Sequence, residues 1–182
     1  MPDLANRLHL WLKQIRRPSV LVVGGGLPVD WLRRLDRLHG LRAELTHNLA
    51  IEIMRWNTCW LASILPEAVL VKNLDECCRA WHRGQQPMLD PVAFCQRDAH
   101  LPDALPLGWE VTSDSIAGQL AWRWRAAELV LLKSCQAPDY DWHHLAELGL
   151  VDAHFPVVAA RLPRIHWIDC QNAAEAPPSS NT

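Results

Sequence analysis

The stretch Val20-Leu-Val-Val-Gly-Gly-Gly26 narrows the folds open to this chain more than any other part of it. A short aliphatic, β-branched run with no polar residue reads as a strand covered on both faces. It stops on Gly24, Gly25 and Gly26, where the lack of side chains lets the backbone turn sharply and approach a neighbour or an anion. Pro28 suits the first turn of a following helix and Gly40 suits its stop. A buried strand that turns through glycine into a helix is a unit of a parallel sheet, and such sheets bind ligands at the carboxyl ends of their strands.

Elsewhere the apolar period alternates between helix and strand. Residues 3–16 place Leu4, Leu8, Trp11, Leu12 and Ile15 on one helical stripe, which Pro18 ends. Leu32, Leu35 and Leu38 mark the inner side of the helix that stops at Gly40. Residues 44–65 read as a long helix closed by Pro66, and 68–72 as a strand. Asn73 and Glu76 form a capping-box pattern for a helix to Arg83, with Gly84 after it. Residues 87–90 are a short apolar piece before a short helix from Pro91, and 100–108 are a loop. Thr112 or Ser113 caps a helix over 114–126, with Ile116, Ala117, Leu120, Ala121 and Trp124 inward. Residues 128–133 (ELVLLK) form a buried strand, 141–148 a helix stopped by Gly149, and 164–169 a last strand. The sum is an α/β fold with a mainly parallel sheet, one domain over residues 1–170. The small, polar, Pro-rich residues 171–182 are expected to be disordered.

Composition excludes several classes. The 182 residues are 49% hydrophobic and 21% charged, enough for one packed domain. A net charge of −2 and a pI near 6.5 give no nucleic-acid footprint. No apolar run approaches the roughly 18–20 residues that span a bilayer, and the amino-terminal segment has no uninterrupted apolar core of a signal peptide. Six cysteines form no C-x-x-C pair and match no zinc framework, so they read as reduced thiols of a cytoplasmic protein. The ten tryptophans read as core and helix packing.

Few residues carry chemistry. The glycines favour an anion at a helix start, but Leu27 and Val29 break a dinucleotide fingerprint, and no Gly-Lys-Ser/Thr completes a phosphate loop. A nucleotide-binding oxidoreductase is therefore disfavoured. Asp114, in the first turn of its helix, is expected to have a low pKa, making it an organiser of charged groups rather than a base. His47, alone within the long helix, reads as structural. His143 and His144 with Asp139 and Asp141 do not make a metal site, because adjacent helical residues point apart.

Taken together, these pieces resemble the amino-acid kinase superfamily. The carrying segments are VLVVGGG at 20–26, TSDSIAGQLA at 112–121 and ELVLLKS at 128–134. Within the superfamily the chain is most similar to the small kinases that phosphorylate an aminomethylfuran alcohol in methanofuran synthesis, and to their bacterial relatives. There the matching residues are Thr46-His47-Asn48-Leu49-Ala50-Ile51 and Trp109-Glu110-Val111-Thr112-Ser113-Asp114-Ser115-Ile116-Ala117. The resemblance implies a three-layer αβα sandwich and phosphoryl transfer from ATP with Mg²⁺ to a small-molecule acceptor. It implies Asp114 as the catalytic-site residue, and Gly24, Gly25, Gly26, His47, Ser113 and Ser115 at the acceptor or phosphate. Lys133 and Ser134 would open the nucleotide pocket, and a homo-oligomer or a partner subunit would be unsurprising for the family.

One departure matters. The family opens on a strand ending K-x-G-G-S, whose lysine touches the transferring phosphate, and no such motif occurs here; the fold is expected to be shortened at that end. Lys13, Lys72 and Lys133 are the only lysines. Two readings follow: a small-molecule kinase, and a catalytically impaired kinase-fold protein that acts as a binding or regulatory subunit.

Overall fold

A computed structural model describes residues 4–15 and 17–170. The order is α1 (Leu4–Gln14), α2 (Gly26–His39), α3 (Ala43–Ile64), β1 (Ala68–Val71), α4 (Leu74–His82), β2 (Gln86–Leu89), α5 (Pro91–Asp98), α6 (Ser113–Arg123), β3 (Leu129–Lys133), α7 (Trp142–Glu147), α8 (Phe155–Ala159) and β4 (Ile165–Asp169). The tail expected to be disordered, 171–182, lies outside the described residues.

The strands pair in parallel, β1 with β2 from Ala68↔Gln86 to Val71↔Leu89, and β3 with β4 from Leu129↔Ile165 to Lys133↔Asp169. Residues 19–23 join the first pair at a single rung. The Leu21 N–H donates to the Pro87 carbonyl at 3.0 Å, and the Leu89 N–H to the Leu21 carbonyl at 2.8 Å. The expected five-residue strand is thus reduced to one bridge, and its residues are half-buried. Among the described residues its other edge pairs with nothing, so no second ladder regularises it.

Alternation along each strand builds the layers. Leu21, Val23, Ala68 and Met88 pack with Leu8 of α1, Leu61 of α3 and Leu65 just past it. Val20, Val69 and Val71 turn the other way, against Cys77 and Ala80 of α4 and Trp124 just past α6. α6 links the two strand pairs. Its Ile116 and Leu120 share a cluster with Val20, Val22 and Leu89, while Ala117 and Ala121 pack with Leu129 and Leu131. The result is an αβα sandwich whose sheet is two parallel pairs bridged by one helix.

Local chemistry explains the element ends. α2 stops where Gly40 adopts φ +59°, and its N–H bonds the Asp36 carbonyl at 2.8 Å. Asn73 caps α4 by accepting from the Glu76 N–H at 2.9 Å. The Glu76 carboxylate returns not to the Asn73 N–H, as a standard box would, but to the Lys72 N–H at 2.7 Å. Asp90 caps α5 through the N–H groups of Val92 and Ala93. Two expectations are corrected. Leu38 lies outward, exposed at 68%, and Val29 takes its place beside Leu32 in the core. The apolar piece before Pro91 is a full strand, β2. Helix α8 was not foreseen, since five residues are too few to show a period.

Replacing Asn73 with alanine should cost about 1 kcal/mol in urea unfolding, the usual value of a helix cap; an unchanged midpoint would show that the Glu76 carboxylate alone holds the turn.

Candidate functional site

The site is built at the first turn of α6. Thr112 holds the N-cap position with extended backbone, yet neither Thr112 nor Ser113 caps the helix with its own side chain. The cap comes from Asp152, in the loop before α8. Its Oδ2 accepts from the Thr112 N–H at 2.9 Å, the Thr112 hydroxyl at 3.0 Å and the Ser115 N–H at 2.9 Å. The Ser115 hydroxyl donates to its other oxygen. Ser115 is fully buried in this tie, not open to a pocket.

With the helix start satisfied from outside, Asp114 turns to β3. Lys133 Nζ donates to both Asp114 carboxylate oxygens at 2.8 Å and to the Leu150 carbonyl at 2.8 Å. The same ammonium lies 5.6 Å from the centroid of the Trp167 ring. The low pKa expected for Asp114 is not what its surroundings give. Burial pushes the carboxyl above its ordinary 3.8, Lys133 pulls it back down by charge and hydrogen bond, and burial wins. The side chains are 12% and 20% exposed, so the charges are largely out of water. Such a pair adds little to fold stability, because desolvation consumes the attraction. A buried, shifted carboxylate at the carboxyl end of a strand is a feature of functional sites.

The glycine bend faces this helix tip. A Cβ on Gly24 would stand 3.1 Å from Ser113 Oγ. Asn57 of α3 holds the bend by donating from Nδ2 to the Gly24 carbonyl at 2.8 Å and the Gly25 carbonyl at 2.9 Å. Gly26 opens α2 at φ +54°, a conformation side chains disfavour. No side chain caps α2, so the N–H groups of Gly26 and Leu27 lack a side-chain partner, and Pro28 has no N–H to offer. Between Gly25 and Ser113 runs a narrow apolar cavity of about 20 Å³, also lined by His47, Met54, Trp109 and Ile116. His47 is buried and exchanges contacts of 3.3–3.4 Å with the backbone of Gly108. Ser134 is exposed just past β3.

Supporting bonds fix the walls. The Trp109 indole N–H donates to Asp36 at 2.7 Å, and Arg33 stacks 5.0 Å from the ring centroid. Buried Asp98 accepts from Arg123 at 2.8 Å, from Gln119 and from the Leu105 N–H, tying down the loop that carries Gly108. Asn57, Asp98 and Asp152 were not singled out from the sequence; a lone polar residue in a helix or loop carries no spacing signal. A larger groove, of about 640 Å³, opens at the far end of α6 among Trp122, Arg123, Arg125 and Arg161. Two of its arginines are paired with Asp98 and Asp103 and stack on Trp122. Of the histidines near α7, His144 Nδ1 pairs with Asp139 at 2.6 Å, and Asp141 is the cap of α7; no group of three metal-ligating side chains occurs among the described residues.

No family model matches the chain, and no curated protein matches it. Twelve chains of solved structures do. One is uridylate kinase from Archaeoglobus fulgidus, with a TM-score of 0.59 at 14% identity over 91% of this chain and 82% of that one. At that identity the likeness is one of fold: the chain shares its αβα architecture with that kinase.

Asp114→Asn should destabilise the protein by about 1–3 kcal/mol at neutral pH, because it leaves the Lys133 ammonium half-paired. The pH dependence has a definite sign. A carboxyl raised in the folded state contributes stability below its unfolded value, and that contribution is lost as pH rises through the folded value. The stability of wild type relative to Asp114→Asn, from urea unfolding, should therefore fall as pH rises above 3.8; a rise over that window would mean that Lys133, not burial, governs Asp114.

Proposed function

We propose that the chain is an ATP-dependent small-molecule kinase, with its phosphoryl site between the glycine bend and the tip of α6. One observation carries this reading: Gly24 meets Ser113 within 3.1 Å of a would-be Cβ, while the next residue, Asp114, holds the sole lysine of β3. Phosphoryl transfer is mostly positioning and charge stabilisation. The parts present suit that task. The uncapped start of α2 offers backbone N–H groups to phosphate oxygens, and Gly24, Gly25 and Gly26 allow close approach. Ser113 and His47 would contact the acceptor, and Lys133 and Ser134 would meet the nucleotide side. Asp114 holds Lys133 at a fixed point at the end of β3. Bound ATP with Mg²⁺ would supply the transferable group and its charge screening. The cavity must widen to admit any of them, and α2 and the loop through Trp109 are the walls that would part.

The acceptor class we favour is an aminomethylfuran-type alcohol of one-carbon cofactor synthesis, on the strength of the segments at residues 46–51 and 109–117. A cytoplasmic location fits six free thiols. No helix among the described residues is long and apolar enough to cross a membrane. A second reading, a kinase-fold binding or regulatory subunit, is favoured by the lysines. Lys133 is engaged by a carboxylate and a carbonyl, and no lysine lines the cavity beside Gly25.

Calorimetry with ATP and Mg²⁺, followed by turnover on an aminomethylfuran alcohol, separates the two. The kinase reading expects nucleotide binding and turnover that falls about 100-fold or more in Asp114→Asn, as when a single charge-positioning group is removed. A folded wild-type protein without nucleotide affinity refutes it and leaves the binding subunit.

A further inference from the structure

We propose that the groove at the far end of α6 is a binding site for a small organic phosphate, held by Arg125 and Arg161 beside Trp122. Its volume of about 640 Å³ is that of a small-molecule site. Ala126 and Pro163 line it, just before β3 and β4 begin, so it opens at the amino ends of those strands. The crevice lies at their carboxyl ends. Between the two, α6 runs about 14 Å from Asp114 to Arg123. The groove is therefore separate from the phosphoryl site and does not depend on the kinase reading.

The backbone indicates that Arg125 is kept for its side chain. α4, α6 and α7 end in the same closure, in which two N–H groups fold back onto the last turn. In α4 the Gly84 N–H donates to the Trp81 carbonyl at 3.0 Å and the Gln85 N–H to Ala80 at 2.9 Å. In α7 Gly149 donates to Ala146 and Leu150 to Leu145, both at 2.9 Å. In α6 Arg125 donates to Trp122 at 3.1 Å and Ala126 to Ala121 at 2.8 Å. The residue at such a bend takes a left-handed backbone, which suits glycine best. Gly84 and Gly149 have φ +67° and +69°, but α6 places Arg125 there at φ +53°. Asp103, the ion-pair partner of Arg161, also has a positive φ, +58°. Backbone strain of this kind gathers at ligand sites.

The charges define the ligand. Among the described residues no acidic one lines the groove. Arg123 is engaged, bonded to Asp98 at 2.8 Å and stacked 4.6 Å from the Trp122 centroid. Arg161 lies 4.8 Å from the same ring and is held loosely, 3.6 Å from an Asp103 side chain that is 55% exposed. Arg125 is exposed, and its guanidinium has no carboxylate partner among the described residues. Two available guanidiniums match the two negative charges of a phosphate monoester, and their planar forks fit its oxygens. The small side chains of Ala126 and Pro163 leave an apolar floor for the carbon part.

Glycerol phosphate titrated into the full chain at about 0.15 M salt, followed by amide NMR, should shift residues 121–127 and the Trp122 indole, with a Kd on the order of 1 mM or tighter. Arg125→Gly should raise the urea midpoint, because glycine suits the bend, and weaken binding about tenfold or more. Arg161→Ala should weaken it to a similar degree. Succinate, whose two charges sit on separate groups, should bind about tenfold more weakly than glycerol phosphate. Shifts confined to residues 24–26 and 112–114 would put the phosphate in the crevice and overturn the groove while leaving the kinase reading standing. No shift at residues 121–127, unchanged affinity in Arg125→Gly, a midpoint that does not rise in that variant, or succinate binding as tightly also overturns the proposal.

Discussion

The carboxylate of Asp152 at the start of α6 is the contact on which the site depends. A helix start has four N–H groups without partners, and the usual remedy is a serine, threonine or aspartate at the N-cap. This chain has three such residues in a row at 112–114 and uses none of them. The oxygen arrives from 37–40 residues away instead. Asp114 is thereby released from local duty and meets Lys133, and Ser113 is left facing Gly24. The long-range cap ties α6 to the loop before α8, so the helix tip, the end of β3 and the glycine bend are held in one corner.

That corner is expensive to build. A carboxylate raised by burial and an ammonium mostly out of water add little to stability, and removing either leaves the other stranded. The rest of the fold is arranged to bear it. α6 is wedged between two strand pairs that do not bond to one another, and its two apolar stripes bind one pair each. Both runs that end at the site, residues 19–23 and β3, finish against its first turn, so the bend and the lysine converge although no ladder joins them among the described residues.

Much of this was legible in the residues. Strong helical periods, the strand ELVLLK, and Gly40 and Gly149 as stops are local signals set by neighbours in sequence, and they reappear as α2, α3, α6, β3 and α7. Only the family resemblance, not a local signal, put Gly24 and Ser113 at one site. What was hidden arose from partners far along the chain. Nothing near Asp152 marks it as the cap of α6, and nothing near Asn57 marks its grip on the glycine carbonyls. The pKa of Asp114 was misjudged because position in a helix speaks for the dipole and is silent on burial. Of the tryptophans read as core and helix packing, Trp31, Trp56 and Trp60 are exposed; an apolar helical stripe has the same period whether it is buried or not.

The kinase-like fold and the crevice both stand on the α6 tip being held by Asp152, and amide hydrogen exchange by NMR on Asp152→Ala tests that most directly. The account predicts that the Thr112 and Ser115 amides lose protection by about tenfold or more, as when one net hydrogen bond is withdrawn, while amides of β1 and β2 keep theirs. Unchanged exchange at Thr112 and Ser115 would contradict it, because the helix start would then be secured by something other than this carboxylate.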